Sequence, residues 1–130
     1  MNADANDLRT IEIKAFVPAR DMALSLRFYR DLGFEVPWSS DELAYLHAGD
    51  CSFLLQKFHH PEHAGNSMMH LLVADVGSWW RHVESRRLAE RYGVRALPPG
   101  DRPWKMRDFV ITDPSGVLWR IGQNIGGPNG

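Results

Sequence analysis

One order of chemical features occurs twice along this chain of 130 residues. Each copy has a short segment with an aspartate, then two adjacent aromatic residues, then a glycine between apolar or aromatic neighbours: residues 17–21, 28–29 and 32–34 in the first copy, and 73–76, 79–80 and 92–94 in the second. Half of a chain this size is too small to enclose a core of its own. The repeat therefore predicts two βαβββ modules that pair and share one core. The expected fold is α+β, with the strands in a curved mixed sheet around a cleft and the helices outside.

Polar and turn-forming residues divide the chain into these modules. Module one is predicted at residues 11–58 and module two at residues 68–124, within a single domain. The segment 59–67 between them is polar and is predicted to be a linker. Its proline disfavours a helix that could align its histidines on a metal, so a solvated loop is the preferred interpretation. These histidines are His59, His60 and His63.

Apolar spacing predicts the elements of each module. Leu24, Phe28 and Leu32 form one stripe at helical spacing, in a helix that Asp21 would cap at its start and Gly33 at its end. The second module should contain a comparable helix at about 77–91. The remaining predictions are a rigid loop at 98–103 and strands at 11–17, 34–38, 43–48, 51–58, 68–74, 94–97, 109–111 and 117–121.

A predicted β-hairpin lies near the C-terminus. Residues 113–116, Asp-Pro-Ser-Gly, form a tight turn between two apolar runs. Because side chains alternate along a strand, one face should carry Val117, Trp119 and Ile121, and the other Leu118, Arg120 and Gly122. Arg120 is thus a cation among apolar neighbours, and the group that it faces decides much of the functional interpretation.

Composition limits the classes of partner. The formal net charge is −1, and no basic stripe indicates binding to nucleic acid. No apolar run is long enough to cross a bilayer, and residues 1–9 lack the apolar centre of a secretory signal. The single cysteine, Cys51, excludes an internal disulfide and is typical of a reducing compartment. We therefore expect a soluble cytoplasmic protein with neither nucleic acid nor a membrane as its partner.

Three motifs resemble the vicinal oxygen chelate superfamily of glyoxalases, bleomycin resistance proteins and extradiol dioxygenases. They are residues 28–34, 73–80 and 113–116, and the resemblance extends over about 11–124. Residues 119–124 and the Gly49-Asp50 turn are most similar to the bleomycin resistance branch. That branch binds its antibiotic without altering it, in clefts of a homodimer built by exchange of β-α units. The resemblance thus implies a small-molecule ligand, an antibiotic resistance function and a dimer with exchanged modules.

The resemblance also implies where a divalent metal would be held in the enzymes of the superfamily. The matching positions here are Lys14, Met68, Arg120 and one residue between Leu54 and Gln56. A charged lysine and an arginine have no lone pair to offer a metal. His70, two residues after Met68, and Gln56 could supply two donors, whereas a catalytic metal usually has three protein ligands. We therefore expect no metal and no cofactor.

The two cations at these positions have two interpretations. Lys14 and Arg120 could line the cleft and attract an anionic or carbonyl-bearing ligand. Alternatively, they could form structural salt bridges, since a buried cation nearly always has a partner. The possible partners are Glu12, Glu35 and Asp108.

The remaining candidates are a histidine and two tryptophans. His70 could bind the ligand or act as a general base, or it could be an ordinary strand histidine with a satisfied hydrogen bond. Trp38 and Trp104 lie next to turns and prolines. Their rings could stack on a flat heteroaromatic ligand or form a dimer contact.

The leading hypothesis is a dimeric, metal-independent protein that sequesters an aromatic or antibiotic-like ligand. The alternative is a lyase or isomerase of glyoxalase type, with or without a metal, in which His70 would be the base and Arg120 would stabilise an enolate. A third possibility is a family member that acts only through protein contacts. The predicted ligand-binding residues are Lys14, Trp38, Gln56, Met68, His70, Trp104 and Arg120.

Overall fold

The computed structural model describes residues 6–58 and 60–126. Eight strands and four helices follow one another in the described part of the chain. In order they are β1 (Phe16–Ala19), α1 (Met22–Leu32), β2 (Glu35–Ser39), β3 (Leu43–Ala48), β4 (Cys51–Lys57), α2 (Pro61–Asn66), β5 (Met68–Leu72), α3 (Val76–Ser85), α4 (Leu88–Tyr92), β6 (Ala96–Arg102), β7 (Met106–Thr112) and β8 (Leu118–Asn124).

The strands form two mixed sheets with the same topology. The first sheet has the order β1-β4-β3-β2 and the second the order β5-β8-β7-β6. In each sheet the first strand of the module pairs in parallel with the last, and the other neighbours are antiparallel. The predicted α+β class with two βαβββ units is confirmed.

Helix α1 forms as its sequence predicts. The Asp21 carboxylate accepts a hydrogen bond from the Leu24 amide at 3.1 Å, which satisfies one of the free donors of the first turn. Gly33 ends the helix with φ 129°, a conformation that side chains rarely adopt. The face that packs against the first sheet includes Phe28, Tyr29 and Leu32, all fully buried.

Strand β1 begins later than predicted. It starts at Phe16 rather than at residue 11 and continues through Pro18 to Ala19. Its parallel register with β4 places residue 12 beside the β3–β4 turn, so the chain before that point has no strand to pair with. Ile11 and Ile13, which both precede β1, are 95% and 94% exposed.

The second module departs from the prediction in its helix. Instead of one helix at 77–91, α3 ends at Ser85 and α4 begins at Leu88, with Arg87 between them at φ 53°. The break turns α4 so that Leu88 becomes fully buried and the Tyr92 hydroxyl donates to Asp31 of α1. This tertiary packing outweighs the local preference for a continuous helix.

Two predicted loops are regular elements instead. The segment 98–103 belongs largely to the edge strand β6, whose register shifts between Leu97 and Gly100. An edge strand with such an irregularity tolerates its two prolines. The predicted linker contains the short helix α2, because Pro61 occupies the first turn, where a missing N–H does no harm.

A buried polar network joins the second module's hairpin turn to the first module. The Tyr29 hydroxyl donates to Oδ2 of Asp113 at 2.5 Å, and Nε1 of Trp119 donates to the Tyr29 oxygen at 2.9 Å. Oδ1 of Asp113 accepts from the amides of Ser115 and Val117 at 2.8 and 2.9 Å. Burial raises the pKa of the Asp113 carboxyl above its ordinary value of 3.8, and these hydrogen bonds only partly offset the effect.

Removing the Tyr29 hydroxyl should test this network. We expect Tyr29→Phe to lower the free energy of unfolding at pH 7 by about 2 kcal/mol, since a buried carboxylate loses a donor. The raised pKa means that the contribution of Asp113 to stability is fully present below pH 3.8 and is lost as pH rises through the folded-state pKa. Loss of the donor should raise that pKa further, so the penalty should be smaller at pH 4 than at pH 7.

Urea denaturation at both pH values provides the measurement. The matched control is Tyr45→Phe, because the Tyr45 ring is only partly buried on β3 and the change should cost less than about 0.5 kcal/mol. Equal losses in the two variants, or a Tyr29→Phe penalty that grows on acidification, would contradict the assigned role of the network.

Candidate functional site

Each sheet has one face in the core and one face outside it, because side chains alternate along the strands. In the first sheet, Phe53, Leu55 and Leu46 are buried, whereas their neighbours point the other way. We call the second set the outer face of the first sheet: Phe16, Pro18, Trp38, Leu43, Tyr45, His47, Ser52, Leu54 and Gln56. The registers of β1, β4, β3 and β2 place these residues beside one another.

Gln56 lies in an open concavity of about 590 Å³ on this outer face. Phe58 and His63 contribute to its wall, with their rings edge to face at a centroid distance of 5.7 Å. Helix α2 positions His63 there, so the predicted loop is a short helix at this residue, although the side chain is exposed as expected. His59 lies outside the described residues. The complete lining is Phe16, Pro18, Gln56, Phe58, His60 and His63.

Lys14 and Trp38 are both associated with Tyr45 of the first sheet. Nζ of Lys14 lies 2.6 Å from Oε2 of Glu12 and 5.3 Å from the centre of the Tyr45 ring. Trp38 is opposite Tyr45 in the register of β2 and β3, and its ring is half exposed. Of the two interpretations of Lys14, the structure shows a salt bridge, with one of the three carboxylates proposed from the sequence.

Met68 and His70 are exposed on the outer face of the second sheet. We define this face as Met68, His70, Leu72, Leu97, Gly100, Arg102, Met106, Asp108, Val110, Leu118, Arg120 and Gly122. His70 lies directly opposite Arg120 in the register of β5 and β8, and its Nε2 is 3.3 Å from Sδ of Met106. On the other face, Trp119 and Ile121 are buried, as alternation predicts.

Arg120 is paired with a buried carboxylate. Its Nη1 donates to Oδ2 and Oδ1 of Asp108 at 3.1 and 3.2 Å. Arg102 approaches the same carboxylate from the other side, with its Nε 2.7 Å from Oδ1. The Asp108 side chain is 1% exposed and each arginine side chain 33%. Two cations therefore cover one anion, with their remaining surface towards solvent.

Two glycines flank this cluster, and Gly122 makes room for it. Gly100 on β6 and Gly122 on β8 are the register partners of Asp108 on either side. A Cβ on Gly122 would lie 2.9 Å from Sδ of Met106 and 3.1 Å from Cβ of Asp108. A Cβ on Gly100 would lie 3.6 Å from Nη1 of Arg102. The sequence-based prediction missed Arg102 because it assigned 98–103 to a loop, whereas a strand there would have placed Arg102 on this face.

The predicted site residues fall into two groups in this chain. Trp38 and Gln56 belong to the first sheet and Lys14 lies beside it, against Tyr45, whereas a second group belongs to the second sheet. The two sheets share no paired strand. The second group comprises Met68, His70 and Arg120 on the outer face and Trp104, which is exposed in the turn between β6 and β7.

The side chains at the expected metal positions do not suit a divalent cation. Lys14 and Arg120 are engaged with carboxylates, and Met68 offers only a weak thioether donor. The Asp108 carboxylate is already held by two guanidinium groups. Across residues 6–58 and 60–126, no three or more His, Cys, Asp or Glu side chains are grouped so that they could hold a metal ion.

The arginine cluster should also matter for stability. We expect the double substitution Arg102→Gln, Arg120→Gln to lower the free energy of unfolding by about 3–5 kcal/mol, because the buried Asp108 carboxylate loses both cations. Each single substitution leaves one arginine in place and should cost less than half of that, so the two effects should not be additive. Chemical denaturation of the four proteins measures this coupling.

The matched control is Arg107→Gln on β7, the strand that also carries Asp108. Nε of Arg107 is 2.7 Å from Oδ1 of Asp101, but both side chains are about half exposed, so this change should cost less than about 1 kcal/mol. A double variant as stable as this control would show that Asp108 does not depend on its arginines.

No helix among the described residues is long and apolar enough to cross a membrane. A family model of the Glyoxalase/Bleomycin resistance protein/Dioxygenase superfamily matches residues 12–121. A search of curated proteins finds no match.

Solved structures share the fold. A bleomycin-binding protein complexed with bleomycin is 23% identical, with 88% of this chain and 99% of that chain covered and a TM-score of 0.75. The bleomycin-binding protein of Streptomyces verticillus, complexed with copper(II)-bleomycin, is 23% identical over 93% of this chain and 100% of that one, with a TM-score of 0.72. Lactoylglutathione lyase from Agrobacterium tumefaciens is 17% identical over 88% and 94%, with a TM-score of 0.66. At these identities the comparison shows a common fold in both binding proteins and an enzyme.

Proposed function

We propose that this chain, which belongs to the glyoxalase/bleomycin resistance protein/dioxygenase superfamily, is a metal-independent small-molecule binding protein of bleomycin-resistance type. It holds an aromatic or antibiotic-like ligand, unaltered, in a cleft between two subunits. The observation that carries the proposal is the pairing of Arg120 with Asp108. A residue at a metal-ligand position of the enzymes is here an arginine bound to Asp108 on an open sheet face.

The outer faces have the chemistry of a ligand site. Phe16, Met68 and Leu72 are 57%, 58% and 51% exposed. Small-molecule sites are mostly apolar, with a few polar groups that orient the ligand. Gln56 on the first sheet and the arginine cluster on the second supply such groups. The concavity at Gln56, about 590 Å³, is large enough for a drug-sized molecule.

Two observations favour a dimer. The candidate residues are divided between two sheets, and each outer face is open. A second copy related by a two-fold axis, with its second sheet against the first sheet of this copy, would create two equivalent clefts and bury the exposed apolar side chains. The chain before β1 has exposed apolar side chains at Ile11 and Ile13, which suit exchange with a partner.

A second candidate function is a metal-free lyase or isomerase. It is favoured by the register of β5 and β8, which places His70 directly opposite Arg120 on the same face. In that case His70 would remove a proton from a carbon next to a carbonyl, and Arg120 would stabilise the developing enolate. Loss of turnover in His70→Ala, with ligand affinity retained, would favour this function over sequestration.

The binding proposal predicts that a ligand binds at one per subunit and is recovered intact. Thermal-shift and calorimetric screens over glycopeptides, bleomycin and aromatic metabolites would identify it, and quenching of tryptophan fluorescence would report its contact with the rings. Because no metal is involved, the affinity should be the same within about twofold with and without chelator. Conversion of the ligand, or affinity lost in chelator, would contradict sequestration without metal.

The dimer proposal has a separate test. We expect Leu72→Glu to weaken self-association by about a hundredfold or more, because a carboxylate would be buried against an apolar surface. Ala23→Glu makes the same change of charge at an exposed position of α1 and should leave the association constant unchanged. Sedimentation velocity over a range of concentrations measures both. A monomeric parent protein, or equal behaviour of the two variants, would rule out this interface.

A further inference from the structure

We infer that the ligand carries a carboxylate, and that Arg102 and Arg120 bind it on the outer face of the second sheet. The inference rests on the proposed function, since it assigns a chemical class to the ligand of that same site. It follows from four features of the cluster around Asp108: its free donors, its net charge, its rigidity and its surroundings.

The two guanidinium groups have hydrogen-bond donors that Asp108 does not use. Arg120 uses Nη1 for Asp108, and Arg102 uses Nε for the carboxylate and Nη2 for the Asp108 carbonyl at 3.3 Å. Within residues 6–58 and 60–126, no hydrogen bond engages Nε or Nη2 of Arg120 or Nη1 of Arg102. Each arginine side chain is one-third exposed, so both remain partly open to solvent.

The net charge of the cluster is +1, from two arginines and one aspartate. The negative charge is buried beneath the positive ones, because Asp108 is 1% exposed and the arginines 33%. A ligand therefore meets the cations first, although the formal net charge of the whole chain is −1. One residual positive charge matches a singly charged carboxylate better than a doubly charged phosphate monoester, and planar guanidinium donors match a planar carboxylate.

The cluster is also held in place before any ligand arrives. Arg102, Asp108 and Arg120 lie on three adjacent strands, and Gly122 leaves space beside the aspartate. The bonds to Asp108 fix both side chains, so little rotamer entropy remains to be lost when an anion binds. A site on paired strands keeps its geometry better than one on loops.

Apart from His70, which lies opposite Arg120 in the register of β5 and β8, several side chains beside the cluster are apolar. Met68, Met106 and Leu118 flank it on the same face. A ligand whose ring lies on these side chains would exclude water from the cluster, and an ion pair is stronger where water is excluded. The expected ligand is thus an aromatic or alicyclic acid with its ring on the apolar side chains and its carboxylate on the two arginines.

The test compares acids with their uncharged amides, so that shape is constant and charge is not. The probes are benzoate and benzamide, 2-naphthoate and 2-naphthamide, and indole-3-acetate and indole-3-acetamide, with 2-naphthyl phosphate as the phosphate probe. Calorimetry on the full chain should show at least one acid binding about tenfold more tightly than its amide. Added salt should reduce this preference by weakening the acid and not the amide.

Variants then assign the preference to residues. Arg120→Gln and Arg102→Gln should each reduce the acid preference to less than about threefold, with amide affinity changed less than about twofold. Arg107→Gln on β7, whose cation is paired with Asp101 on β6, should retain the full preference. Thermal melting confirms that each variant is folded. If a variant does not fold, the acid–amide ratio of the unaltered protein and its salt dependence decide the question.

The possible failures are distinguishable. Acid and amide bound equally well would overturn the carboxylate assignment and leave the binding function standing. A preference that survives both arginine substitutions would also overturn it, as would a phosphate bound about tenfold more tightly than the corresponding acid. If no ligand binds, either among these probes or in the wider screen, the proposed function itself fails, and this inference fails with it.

Discussion

The hydrogen bond from Tyr29 to Asp113 is the contact on which the arrangement of the two modules depends. It links α1 of the first module to the hairpin turn of the second, and Trp119 adds a donor to the same tyrosine oxygen. The backbone amide of Arg20 also donates to the Ser115 hydroxyl at 2.9 Å, so the turn is held at two points. Around these polar groups, a cluster of aromatic rings excludes water, which is why an unpaired member would be costly.

The second sheet shows how one fold can serve different chemistry. Its strands place a residue at position 120 on the outer face, where the resemblance expects a metal-binding carboxylate. Here that side chain is a guanidinium, and the carboxylate lies two strand positions away in the pairing of β7 and β8, at Asp108. The same local geometry therefore holds an ion pair with donors to spare, rather than a ring of metal ligands. In the proposed function, this position orients an anion instead of holding a metal that activates a substrate.

Local patterns predicted most of the scaffold. Strand alternation placed Trp119 and Ile121 in the core and Arg120 outside, and helical spacing with an aspartate cap and a glycine end placed α1. The errors occur where tertiary contacts outweigh local preference. Arg87 adopts a left-handed conformation that the neighbouring residue types do not predict. This conformation lets Leu88 pack in the core and the Tyr92 hydroxyl bond to Asp31. The prolines near position 98 indicate a loop, yet an irregular edge strand accommodates them.

The sequence by itself determined the two-module α+β fold, the outward direction of Arg120 and the poor set of donors for a metal. These follow from periods of about 2 and 3.6 residues and from the chemistry of single side chains, and both are local properties. Only the tertiary structure decided which of three carboxylates pairs with Arg120, brought Arg102 to the same aspartate and divided the candidate residues between two sheets. The physical reason is that strand register and sheet order bring together residues far apart in the chain, and a single sequence carries no direct signal for that pairing.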